Sequence, residues 1–156
     1  MTWFADEAIC DYFPIAGNSS LRAIGWLEAG HSYRNGTIRR EVYSRLVELL
    51  KDPWEPVACA GPHDCSLCAF EPEAKGAKNL FVPGKGFLYV CPELIAHYIN
   101  AHGYAPSEEF CEAVLRCCDT RSMAYKRLFL ANGGRALMMA LRQQTASDGW
   151  SAGPRK

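Results

Sequence analysis

The chain has 156 residues, 49% apolar and 22% charged, with 17 Lys and Arg balancing 17 Asp and Glu. That length supports one domain with a core of its own, and the zero net charge excludes a strong overall pull toward nucleic acid or an anionic membrane. No apolar run approaches the length of a membrane-spanning helix.

The opening stretch, MTWFADEAICDYFP, carries two early acids where a signal peptide needs positive charge and then an apolar run. A cytoplasmic chain is therefore expected. In a reducing compartment the eight cysteines are thiols rather than a disulfide framework: most are small buried hydrophobes, and a few are ligands.

Residues 1–36 are aromatic and loop-rich, with Trp3, Phe4, Tyr12 and Phe13 followed by Pro14 and Gly17. LRAIGWLEAG, residues 21–30, reads as a strand ending at Gly30, and GHSYRNG as a loop. From Thr37, taken as an N-cap, Ile38, Val42, Leu46 and Leu49 or Leu50 recur at helical spacing, and Pro53 stops the helix after Asp52. Residues 53–79 are irregular and rich in Pro, Gly and Cys. A loop of that length inside a compact domain needs something to order it, and a metal would do so.

Two short apolar runs around Pro83-Gly84-Lys85-Gly86 predict a β-hairpin over 79–92. A helix follows, with Pro92 at its first position and Gly103 past its end. Pro106, Glu108 and Glu109 open another helix, whose apolar stripe is Phe110, Cys111, Val114, Leu115 and Cys118. Shorter helices are expected at 122–131 and 134–143, separated by Asn132-Gly133-Gly134, and then a disordered tail over 144–156. The expected organisation is one α+β domain over 1–143. It has a zinc-finger-like ββα core at 59–104 (knuckle, hairpin, helix) and C-terminal helices at 106–143.

The chemistry resides in Cys65 and Cys68 ahead of the hairpin and His97 and His102 on the helix after it. Two thiolates on a turn and two imidazoles on a helix form the four-ligand N/S set of structural zinc. The gap from Cys68 to His97 is longer than in a simple zinc finger, so the core carries an insertion, mostly 69–78. Five residues separate the histidines, about 140° around a helix, so His102 is expected to swing back through a final 3₁₀ turn. The competing readings are an inert C-x2-C beside surface histidines and a thioredoxin-like redox pair, the latter without its βαβ context. His63 is an alternative ligand, or a group that orients one. Cys91 is the reserve thiolate. Of Cys117 and Cys118, one faces the core; Cys10, Cys59 and Cys111 show no partner pattern.

MTWFADEAICDYF, AIGWLEAGHSYRNG, GPHDCSLC and NLFVPGKGFLYVCPELIAHYINAHGYAPSEEFCEAV together resemble an uncharacterised bacterial domain family. That family combines an aromatic start and a Gly-Trp-Leu segment with a His-x-Cys-x2-Cys knuckle, a hairpin and a His-x4-His-Gly-Tyr helix end. The resemblance covers roughly residues 1–130. It implies the layout and a place for His63 in the motif, and carries no activity.

Two functions fit these residues. The first is a zinc-stabilised binding or adaptor protein, with zinc in a closed structural site and a protein partner. Its nucleic-acid variant requires Lys75, Lys78, Lys85, Arg34, Arg39 and Arg40 to converge on one face. The second is a zinc-dependent hydrolase, in which three ligands leave a place for water and Asp64 or Glu93 is the general base. The H-E-x-x-H, Walker A, Rossmann and G-x-S-x-G signatures are absent from the sequence.

Overall fold

The computed structural model describes residues 2–13, 20–57 and 61–148. Pro14, Gly17, Cys59 and residues 149–156 of the expected tail lie outside the described residues. The architecture is α+β: a three-stranded sheet and a two-stranded ribbon packed with helices.

The sheet is organised by the hairpin. Its arms are β4 (Asn79–Pro83) and β5 (Leu88–Pro92), paired antiparallel from Asn79↔Pro92 to Pro83↔Leu88. Gly84 N–H closes the turn on the Phe87 carbonyl at 2.8 Å, and Gly86 takes φ +85°, a value that glycine adopts without strain. The other edge of β5 pairs with β1 (Leu21–Ala23) in parallel, so β5 is central, and it is buried at every residue. A strand covered on both faces, as this one is, takes a continuous apolar run.

The strand expected over 21–30 stops at Ala23. Gly25 turns the chain at φ +69°, and the segment after it buries Trp26, whose indole Nε1 donates to the Val90 carbonyl at 2.9 Å. Fully burying such a side chain stabilises by roughly 1.5–3 kcal/mol. The N-terminal segment is not loose either. It runs antiparallel to β1, with an Ile9↔Arg22 bridge and hydrogen bonds linking Glu7 to Ala23 and Cys10 to Leu21.

Helix α1 (Arg40–Lys51) buries Val42, Leu46, Leu49 and Leu50, the stripe that the periodicity predicts. Its N-cap is Arg39 rather than Thr37, with extended backbone and no side-chain cap; Ile38 packs on the core from ahead of the helix. The helix ends at Asp52 because Pro53 disfavours helical backbone in the residue before it.

Helix α2 (Ile95–His102) begins three residues later than expected, since Pro92 closes β5. It is α-helical through His102, without the expected 3₁₀ turn, and Gly103 terminates it in the left-handed conformation with its N–H on the Tyr98 carbonyl. Helix α3 (Glu108–Arg116) is capped by Ser107, whose side chain accepts from Phe110 N–H. It buries Phe110, Cys111, Ala113 and Val114; Cys117 is buried beyond its end and Cys118 half-buried.

The last two helices meet rather than separate. Helix α4 (Met123–Phe129) runs into a π-type turn over Leu130–Gly134 and then α5 (Arg135–Asp148), so the tail expected from 144 is helical to 148. Asn132 and Gly133 leave helical geometry at the kink. There a Cβ on Gly133 would sit 2.7 Å from Ser20. Tyr125 Oη donates to the Phe81 carbonyl at 2.8 Å, and Asn132 Oδ1 accepts from Gly86 N–H. These bonds fix α4 and the kink on the hairpin.

Candidate metal centre

Residues 53–79, irregular in the sequence, contain a small ribbon of β2 (His63–Asp64) and β3 (Lys75–Gly76), paired His63↔Gly76 and Asp64↔Lys75. Cys65 leaves β2 with its N–H on the Ala74 carbonyl at 2.8 Å, and the turn to Cys68 aims the backbone N–H groups of Leu67 and Cys68 at its sulfur. Ser66 Oγ accepts from Ala29 N–H, which ties the knuckle to the segment after Trp26. On the far side Gly76 lies against Glu93 and Leu94, where an added Cβ would come within 3.1 Å of both. Glu93 accepts from Ala77 and Lys78 N–H. The ribbon is thereby docked on the start of α2, the helix that carries both histidines.

The sequence-predicted ligands converge. One donor atom from each of Cys65, Cys68, His97 and His102 lies within 4.8 Å of every other, and the four could hold a metal ion. Cys68 Sγ is 3.3 Å from His97 Nε2, Cys65 Sγ is 3.4 Å from His102 Nε2, and the two Nε2 atoms are 3.1 Å apart. Cys65 is fully buried and the other three half-buried. Burial pushes the Cys65 thiol up from its ordinary value. It holds the His97 imidazole below its own, with the nearby His102 adding to the effect. Burial thus favours the neutral imidazole of His97, the form that ligates a metal.

His63 is not one of the four. Its Nε2 is 2.9 Å from Tyr12 Oη, and its ring packs edge-on to Tyr12 and Trp26. The reserve thiol Cys91 is buried in β5, and burial raises its pKa strongly; Cys111 is pushed up to about 11 in the same way. These are packed, protonated thiols. The two candidate general bases are engaged elsewhere: Asp64 pairs with Lys75 at 3.2 Å, and Glu93 holds the 77–78 backbone.

Two of the basic residues that a nucleic-acid face requires, Arg39 and Lys78, sit at opposite ends of α1. Arg39, at the start of α1, bonds Glu108 at 2.8 Å and also Glu112. Lys78 Nζ donates to the Lys51 carbonyl at the other end of α1, about 18 Å away along the helix. Lys85 is at the hairpin tip and Lys75 in the ribbon.

Several supports were not legible from spacing. Tyr98 is buried beside the two histidines, with ring centroids 6.0 Å and 6.3 Å from theirs, and Tyr33 Oη donates to the His102 carbonyl. At Gly25 an added Cβ would meet Ile95, the first residue of α2, at 2.7 Å. Positive φ at a glycine preceding a buried tryptophan was the available clue, and only the fold displays it.

An α+β domain with a Cys2His2 cluster clamped between a ribbon and a helix is the class that fold and site define. The chain belongs to the family described as Domain of unknown function (DUF7919), whose model matches residues 2–115. That span includes both halves of the cluster. No curated protein and no solved structure matches the chain.

Proposed function

We propose that the cluster holds one structural zinc ion and that the protein is a zinc-stabilised binding or adaptor module for a protein partner. The carrying observation is the spacing of the four donor atoms. A tetrahedral ion with Zn–S of about 2.3 Å and Zn–N of about 2.0–2.1 Å separates two nitrogens by about 3.3 Å and a nitrogen from a sulfur by about 3.5 Å. The N···N distance here is 3.1 Å and three of the four S···N distances are 3.3, 3.4 and 3.7 Å, with every donor pair within 4.8 Å. Mixed thiolate and imidazole donors suit zinc over the hard cations.

Four protein donors fill the tetrahedron, and a closed site supplies structure rather than an activated water. The engagement of Asp64 and Glu93 supports the same choice over hydrolysis, and the separation of Arg39 from Lys78 along α1 together with the zero net charge supports a protein partner over nucleic acid. Thiolate ligands suit the reducing cytoplasm, where the protein is placed in this reading. Within it, His63 supports the knuckle from β2 through its bond to Tyr12.

Metal analysis of protein purified without added zinc, with X-ray absorption to read the shell, tests the proposal. One zinc per chain with two sulfur and two nitrogen neighbours is the expected result. A metal-free protein, or a shell with an oxygen in place of a protein ligand, would overturn the closed-site assignment.

A further inference from the structure

The kink between α4 and α5 opens a groove of about 620 Å³ on the face of the molecule built by its last helices. Its floor is apolar, formed by Trp54, Leu130, Met138 and Met139. Met139 is 55% exposed, and Met123 nearby 64%. The rim is Lys126, Arg135 and Arg142, all exposed and none in an ion pair among the described residues. Among the described residues, no acidic side chain lines the groove. The charge is local: from Thr120 to Ser147 the chain has five Lys and Arg and no Asp or Glu, although its overall balance is zero. Apart from Trp54, the lining lies beyond the span that the family model matches.

We propose that this groove docks an acidic amphipathic helix of a protein partner. The inference rests on the binding-module reading and names the partner's chemistry. Methionine and leucine surfaces in a concave site accept the apolar face of a helix and adapt to its side chains. Three unpaired cations around them select carboxylates on the flanks of that helix. A phosphate backbone would use the cations but has no need of the apolar floor, and a membrane surface would favour a convex apolar face over a groove. The chain's own residues 149–156 include Arg155 and Lys156 and no acid, so like charge argues against them as the occupant.

The test is calorimetric titration of the full-length zinc-loaded protein. The probe is a synthetic 14-residue amphipathic helix with leucine on one face and glutamate on the other; its lysine counterpart is the control. The acidic peptide should bind, the basic one should not, and the Arg135→Glu/Arg142→Glu double variant should weaken binding at least about tenfold. Met138→Gln, at the floor, should weaken it without changing its salt dependence. Circular dichroism and metal content of each variant establish that it is folded and loaded. A failure of docking with zinc retained is thereby distinguished from a failure of the metal assignment.

Equal affinity for the two peptides, or no effect of charge reversal, would overturn the proposal. So would preferential binding of a DNA duplex or of phosphatidylserine vesicles, which would give the basic rim to another class of ligand. Self-association by light scattering, abolished by the same charge reversal, would assign the groove to a second copy and overturn it as well.

Discussion

His97 Nε2 and His102 Nε2 lie 3.1 Å apart although their side chains leave α2 about 140° from each other. The rings meet nearly perpendicular, at 79° with centroids 4.9 Å apart, so each approaches the common point from its own flank of the helix. In the proposed reading, a shared ion is what this convergence of two donors serves. On that reading, replacing either histidine would remove one of the four ligands.

Cys65→Ser and His102→Ala should both lose the metal. Binding at a thousandfold excess over Kd stabilises by about 4 kcal/mol, so a melting temperature lower by roughly 10 °C is expected for a chain of this size. Scanning calorimetry of the variants beside chelator-treated wild type checks this. If the variants melt with the loaded wild type, these residues are not ligands.

Metal affinity should rise with pH. Binding to a thiolate displaces a proton, and since burial pushes the Cys65 thiol up, its proton leaves with the incoming metal at pH 7. His97, held below its ordinary value, competes for protons only under more acid conditions. Its depressed pKa also has a sign for the metal-free fold. The unfolded chain takes the proton first, so stability is present above the unfolded pKa of about 6.5 and is lost as pH falls through the folded value. Titration between pH 6 and 8 in buffers of differing ionisation enthalpy should report net proton release; an affinity flat across that range would sink the thiolate assignment.

Gly25→Ala should damage the site from a distance. The residue stands at φ +69°, and its new methyl would press into Ile95 at 2.7 Å. Strain and overpacking together cost roughly 2–4 kcal/mol. Because Ile95 begins the helix that carries both histidines, zinc retention against a competing chelator should fall along with the melting temperature. A loss of stability with unchanged retention would show that the start of α2 does not set the ligand geometry.

Chelation should loosen the ribbon before the core. Residues 61–78 depend on a few backbone bonds and on Glu93, whereas β5 and the apolar face of α1 are buried. Hydrogen exchange after zinc removal should rise first over 61–78 and later over 88–92. Simultaneous exposure of both would mean that the metal supports the whole domain.

The sequence was most informative where chemistry or periodicity repeats. The C-x2-C and H-x4-H pairs, the stripe of α1, the Gly-rich hairpin turn and Gly103 at the end of α2 all depend on near neighbours. What escaped depends on partners distant in the chain. Residues 24–30 resemble strand by composition, yet they fold away from the sheet because Gly25 must pass Ile95 and Trp26 must reach Val90. Pro92 suits a helix start equally well, but pairing with Asn79 keeps it in β5. The basic groove was concealed by an average: seventeen charges of each sign say nothing about where each is placed.

The cluster has a mechanical consequence as well. An ion joining Cys65 and Cys68 to His97 and His102 encloses the 28 residues between Cys68 and His97, both hairpin arms among them, in a closed ring. Tension applied at the two ends of the chain would cross from knuckle to helix through the ion. The two hairpin arms inside the ring would lie off the covalent load path and stay paired with each other, while β1, which precedes Cys65, would be the strand that carries the pull.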